Sequence, residues 1–118
     1  MMQYSSDQFK PNEAWLILYL PFQDQDIYFL IDVSSDYIFG NILTSKEIPS
    51  ESDVLNLMQE AFYTKNKWPK KIFLSWDNPA KENFRKNSKK NEIQIEAEPL
   101  TDLDRITGTV KKLISNFT

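Results

Sequence analysis

Hydrophobic positions divide this chain into short runs separated by polar turns. Residues 14–20 are continuously apolar, as a strand buried on both faces requires. Pro21 and the run Gln23-Asp24-Gln25-Asp26 predict a turn, and residues 27–33 a second strand. Ser34-Ser35-Asp36 is a hairpin connection into a third strand at 37–44, rich in β-branched and aromatic residues. Gly40 inside that strand predicts a bulge or a close backbone approach.

Helical spacing begins after Pro49. Ser50 fits an N-cap with Glu51 and Asp53 in the first turn, where the helix dipole favours acids. Val54, Leu55, Met58, Ala61 and Phe62 predict the buried stripe, and Trp68-Pro69 ends the segment. A short buried strand at 71–76 follows. Asn78 and Pro79 then suit the cap and first position of a surface helix reaching about residue 88, with only Ala80 and Phe84 facing a core. Residues 92–97 alternate like an edge strand. Thr101 predicts the cap of a last helix whose inner stripe is Leu103, Ile106, Val110, Leu113, Ile114 and Phe117.

The order is therefore βββαβαβα, an α/β chain. Hairpins followed by right-handed crossovers suit a mixed five-stranded sheet with helices on both faces. The first strand is expected at the centre, with the fourth and fifth beside and parallel to it. Residues 1–12 read as a flexible leader and 13–118 as one domain, in keeping with a length of 118 residues.

Composition narrows the chemistry. The chain has no cysteine and no histidine, so disulfides, thiolate nucleophiles, the usual tetrahedral zinc sites and imidazole acid–base catalysis are excluded. Chemistry would fall to carboxylates, lysines, tyrosines or an oxygen-held metal. No signal peptide or membrane-length apolar run is visible, so the expectation is a cytoplasmic protein without membrane contact.

The net charge of −3 hides a division. Residues 65–90 hold nine of the fourteen basic residues against Asp77 and Glu82, a local +7 that leaves −10 elsewhere. Lys81, Arg85 and Lys89 recur every four residues on one helical face, with Lys86 and Lys90 beside them and Lys70 and Lys71 upstream. Trp68 and Trp76 flank the preceding strand. Basic residues among aromatics suit a nucleic-acid groove, although lysine outnumbers arginine and base-edge reading favours arginine. The same segment also reads as a surface for an acidic protein, or as a solvated helix face.

The stretch Pro69-Lys-Lys-Ile-Phe-Leu-Ser-Trp-Asp77-Asn78-Pro-Ala-Lys-Glu-Asn-Phe84 resembles the fourth-strand signature of transposase and retroviral-type integrase cores. There a proline, an apolar run, Asp-Asn-Gly and a phenylalanine recur. Tyr28 to Gly40, with Asp32 and Tyr37, resembles the same family's second hairpin. The resemblance spans residues 14–97 and implies a ribonuclease H-like fold. It implies two metal ions on three or four carboxylates, cleaving a phosphodiester. Carried over by position, Asp77 is the fourth-strand ligand, and Asp102 or Asp104 the acid near the last helix. Asp32 is the hairpin acid, which is not a metal ligand in the family. The first-strand ligand falls on Leu18, which cannot bind magnesium, and Pro79 replaces the glycine.

Asp32, Asp77 and Asp104 are thus a candidate remnant acidic site. The bland alternatives are an Asx-turn for Asp77 and helix capping for Asp102 and Asp104. The expectation is a catalytically inactive, ribonuclease H-like interaction module, with no metal or cofactor and another protein as partner. Two alternatives stand beside it. One is a small acidic immunity or antitoxin-type protein that neutralises a basic toxin; the other is a nucleic-acid-binding domain acting through 65–90.

Overall fold

The computed structural model describes residues 4–75, 77–97 and 103–115. After a 3-10 turn at Ser6–Gln8 come β1 (Ala14–Phe22), β2 (Gln25–Asp32), β3 (Ile38–Thr44), α1 (Glu51–Lys65), β4 (Lys71–Leu74), α2 (Lys81–Lys90), β5 (Gln94–Glu96) and α3 (Leu103–Ser115). They form a five-stranded sheet in the order β3-β2-β1-β4-β5. β1 pairs antiparallel with β2, β2 antiparallel with β3, β1 parallel with β4, and β4 parallel with β5. This is the mixed five-stranded sheet that the element order implied, with β1 in the middle.

Each face of the sheet has its own core. On one face Trp15, Ile17, Tyr28 and Leu30 meet Val54, Leu57 and Met58 of α1 and Phe84 of α2. On the other, Leu16, Leu18, Ile31 and Phe73 meet Ile106 and Val110 of α3. The uninterrupted apolar character of β1 follows directly, because alternate residues face opposite cores.

Local signals explain the element ends. Ser50 caps α1 by accepting from the Asp53 amide at 3.1 Å, and the Asp53 carboxylate accepts from the Ser50 amide at 3.3 Å. Asn66 ends the helix in the left-handed region, at φ 56°. β1 runs through Pro21 to Phe22, so the turn is only Gln23-Asp24, with Gln23 at φ 57°. At Gly40 both expected features occur. The β2–β3 register shifts beside it, and a β-carbon there would come within 2.9 Å of Glu60 Oε2 and 3.0 Å of Leu57 Cδ1.

Several expectations need correction. The inner stripe of α1 is Val54, Leu57, Met58 and Ala61; Leu55 is exposed and Phe62 half-buried. The helix is turned to aim Leu57 at Gly40, where the missing side chain leaves room. α2 begins at Lys81, not Pro79, and buries Asn87 and Ser88 besides Phe84. In α3, Ile106 and Val110 are buried while Leu113 is exposed. Thr101 and Phe117 lie outside the described residues.

Of the expected leader, residues 1–12, the structure describes 4–12. Residues 4–12 pack on the sheet: the Tyr4 and Phe9 rings lie 5.1 and 5.6 Å from Phe73, and Asn12 is buried. Asn12 takes a left-handed backbone, φ 63°, and receives the Trp15 indole N–H at 2.8 Å. Its amide nitrogen donates to the carbonyl of Lys67 at 3.0 Å.

Candidate functional site

In a sheet of this topology the carboxyl ends of the parallel strands form the natural crevice. Asp77 lies there, three residues beyond Leu74, which pairs with Ile17. It is exposed, and the Asx-turn expected of it belongs to its neighbour. Buried Asn78 accepts the Ala80 amide on Oδ1 at 2.9 Å, which turns the chain toward α2.

Asp32 is at the other end. It pairs with Trp15 on β1 and is fully buried. Two strand spacings and two residues of rise put its Cα about 12 Å from that of Leu74, and Asp77 is further along. Its carboxylate is already engaged, accepting the Asn12 amide at 2.9 Å and the Ser35 hydroxyl at 2.5 Å. The sequence spacing could not show this, since Asn12 is twenty residues upstream.

Asp104 is exposed in the first turn of α3. The next residue, Arg105, donates to Asp36 in the β2–β3 turn at 2.6 Å, so this helix end is anchored near Asp32 and away from Asp77. Asp102 lies outside the described residues. The three candidate acids do not converge.

The first-strand position completes the test of the fold family's metals. Leu18 sits in the central strand opposite Phe29, one residue beyond the Ile17–Leu74 pair. It shares a buried cluster with Leu16, Leu20, Phe29 and Phe73. Hydrocarbon therefore occupies the place beside the β4 end where a ligand is needed. Paired ions sit ~4 Å apart and require carboxylates converging on that scale. These residues do not fit such a pair. Among the described residues no group of three or more acids could hold a metal ion.

A polar cluster that the sequence reading missed lies on the opposite face at the same carboxyl end. Buried Asp26 accepts Lys46 Nζ at 2.8 Å and the Tyr19 hydroxyl at 3.2 Å on one oxygen. Tyr28 stacks on Tyr19 at 5.1 Å, and its buried hydroxyl has no protein partner; neither does Thr44 Oγ1. Burial first, then the Asp26 charge and Tyr19, push the Tyr28 hydroxyl up to about 12. Tyr19 is also raised, by burial and by its bond to Asp26, with a lesser contribution from the Asp77 carboxylate. Three neighbouring strands and the loop after β3 supply these groups, so only the folded register assembles them. The available signal was a tyrosine on each strand of the first hairpin, with Asp26 two residues before Tyr28 and so on the same face.

The basic segment separates into parts. Lys81, Arg85, Lys86, Lys89 and Lys90 do share α2. Lys86 and Lys89 line two open grooves on either side of it. One, of about 530 Å³, runs against α1 at Glu51, Ser52 and Leu55; the other, of about 490 Å³, runs against Ile93 and Ile95. Lys86 Nζ meets Glu51 at 3.0 Å, and this bond with the lysine charge holds the Glu51 carboxyl below its ordinary value. Asn83 fixes the two elements by donating to the Pro49 carbonyl at 2.8 Å.

Lys71 does not join them. It lies on the α3 side, with Nζ 4.2 Å from the Tyr4 ring centre, 3.2 Å from the Tyr4 hydroxyl and 3.8 Å from Glu96. Lys70 is at the amino end of β4 and pairs with Glu13 at 3.8 Å. Trp68 is not a surface platform either. It packs between Phe62 and Trp15, at 4.6 and 6.1 Å. Trp76 lies outside the described residues. No described helix is long and apolar enough to cross a membrane.

No family model matches the chain, and no curated protein matches it in sequence. Solved structures do. The HTLV-2 integrase catalytic core domain in complex with magnesium is similar in its dimeric form with a TM-score of 0.61 and 16% identity. That alignment covers 91% of this chain and 71% of that one. Its trimeric form gives 0.62 and 16%, over 91% and 72%. The simian T-cell lymphotropic virus intasome in complex with PP2A regulatory subunit B56 gamma gives 0.62 and 16%, over 92% of this chain and 42% of that one. The chain has the ribonuclease H-like fold of retroviral integrase cores.

Proposed function

We propose that this chain is a ribonuclease H-like domain without nuclease chemistry that serves as a binding module for another protein. One observation carries the reading. The position beside the β4 end that would need a carboxylate is Leu18, packed among leucines and phenylalanines. The dispersal of Asp32, Asp77 and Asp104 supports it, as does the commitment of Asp32 to Asn12 and Ser35. The test is calorimetric titration with magnesium and manganese, together with cleavage assays on single- and double-stranded DNA and RNA. The expected result is no cleavage above that of D77A. Micromolar metal binding, with cleavage lost in D77A, would overturn the proposal.

A second reading, contact with a polyanion, is favoured by Lys86 and Lys89 lining the grooves on both sides of α2. It requires an affinity for single-stranded DNA that falls steeply with salt. Charge reversal of Lys89 and Lys90 would then weaken binding, and a salt-independent or absent signal would sink it.

A further inference from the structure

The two edges of the sheet are unlike. β5 is three residues long, and its Glu96 is paired with Lys71. β3 is the other terminal strand, with seven residues from Ile38 to Thr44 that include no charge and no proline. Natural edges are normally blunted by charges, prolines or brevity, because the unpaired peptide groups template another strand. Here the only irregularity is at the Ile38 end, where the register shifts; from Gly40 to Thr44 the pairing with β2 is regular.

The hydrogen-bond phase shows which groups are free. Val33 donates to the carbonyl of Ala14, so odd residues of β2 bond toward β1 and even residues toward β3. Gly40, Ile42 and Thr44, opposite Leu30, Tyr28 and Asp26, therefore spend their peptide groups inward. Asn41 and Leu43 turn theirs outward. Both residues are exposed, Leu43 to 52%.

A strand added outside β3 would place alternate side chains on the two faces. On the α1 face they would enter a groove of about 290 Å³, lined by Asp53, Asn56, Leu57 and Glu60 as well as Asn41 and Leu43. Asp53 and Glu60 give that groove negative charge, and among the described residues neither forms an ion pair. On the other face the side chains would lie beside the exposed Leu43. A second copy of β3 fits poorly, since it offers no cation and would bring like-charged grooves together.

We propose that the β3 edge binds an extended segment of a partner protein in which lysine or arginine alternates with apolar residues, added as a sixth strand. The cations meet Asp53 and Glu60, the apolar residues cover Leu43, and the peptide groups of Asn41 and Leu43 close the ladder. This deepens the binding-module reading by naming its surface and its partner's chemistry, and it rests on that reading.

The probe is a nine-residue peptide alternating lysine with valine, compared with its glutamate–valine counterpart. Amide exchange and shifts of the full chain are followed by NMR. The lysine peptide is expected to protect the Asn41 and Leu43 amides, to weaken with salt, and to lose about tenfold in affinity with E60Q. L43P, which removes an outward donor, is expected to abolish binding. Should L43P unfold, E60Q decides. An unchanged affinity in E60Q, equal binding of the glutamate peptide, protection confined to α2, or self-association protecting the same amides overturns the proposal. Metal-dependent cleavage would sink the binding-module reading while leaving the peptide result standing. Peptide failure with metal inertness intact sinks only this inference.

Discussion

Placing an acid at the position the fold's nucleases would use, with L18D, tests the central physical claim. Leu18 is buried in an apolar cluster, so the substitution loses about 2 kcal/mol of side-chain transfer. It also buries an unpartnered carboxyl, costing roughly 2 kcal/mol even when protonated. The sum near pH 4 is thus about 4 kcal/mol. Burial raises the folded-state pKa of the new carboxyl above its unfolded value of about 3.9. The unfolded chain then releases its proton first, so stability falls further as pH rises, by about 1.4 kcal/mol per unit. L18A should cost about 3 kcal/mol without that slope. Urea unfolding followed by tryptophan fluorescence at acidic and neutral pH separates the two variants. Millimolar magnesium should leave L18D unstable. A large recovery with magnesium that disappears in L18D/D77N would show that position 18 and Asp77 do form a metal pair, and the reasoning from hydrocarbon packing would fail.

D32A should cost about 3 kcal/mol, because it strands the buried Asn12 amide and frees the Ser35 hydroxyl; chemical denaturation measures this, and a loss below 1 kcal/mol refutes the network. Alkaline unfolding should show Tyr28 directly. Its folded value is above the unfolded 10.0, so stability falls as pH rises from about 10 to 12, by roughly 3 kcal/mol, and Y28F should lose most of that slope. G40A should cost about 1 kcal/mol, since a β-carbon crowds Glu60 and Leu57; thermal melts should show E60A relieving part of it.

The sheet order was legible because every strand has its own turn signal and β1 is the longest strand apolar on both faces. Ser50 with Asp53 was legible because a capping box is local. The inner face of α1 was not, since Leu55 and Leu57 each continue a helical stripe and only the gap over Gly40 selects between them. Asp32 was visible as a hairpin acid, yet its partner Asn12 lies just ahead of the neighbouring central strand, in a segment that looked merely polar. Asp26, Lys46 and Tyr19 carry no motif, because strand register, not sequence spacing, brings them together.

The packing of Tyr4 and Phe9 on Phe73 has a practical consequence. A shortened chain starting at β1 would bare an aromatic patch, release the Lys71 ammonium from its ring, and strip Asp32 of a donor. Such a truncation would expose greasy surface and aggregate, so the folding unit starts ahead of its first strand.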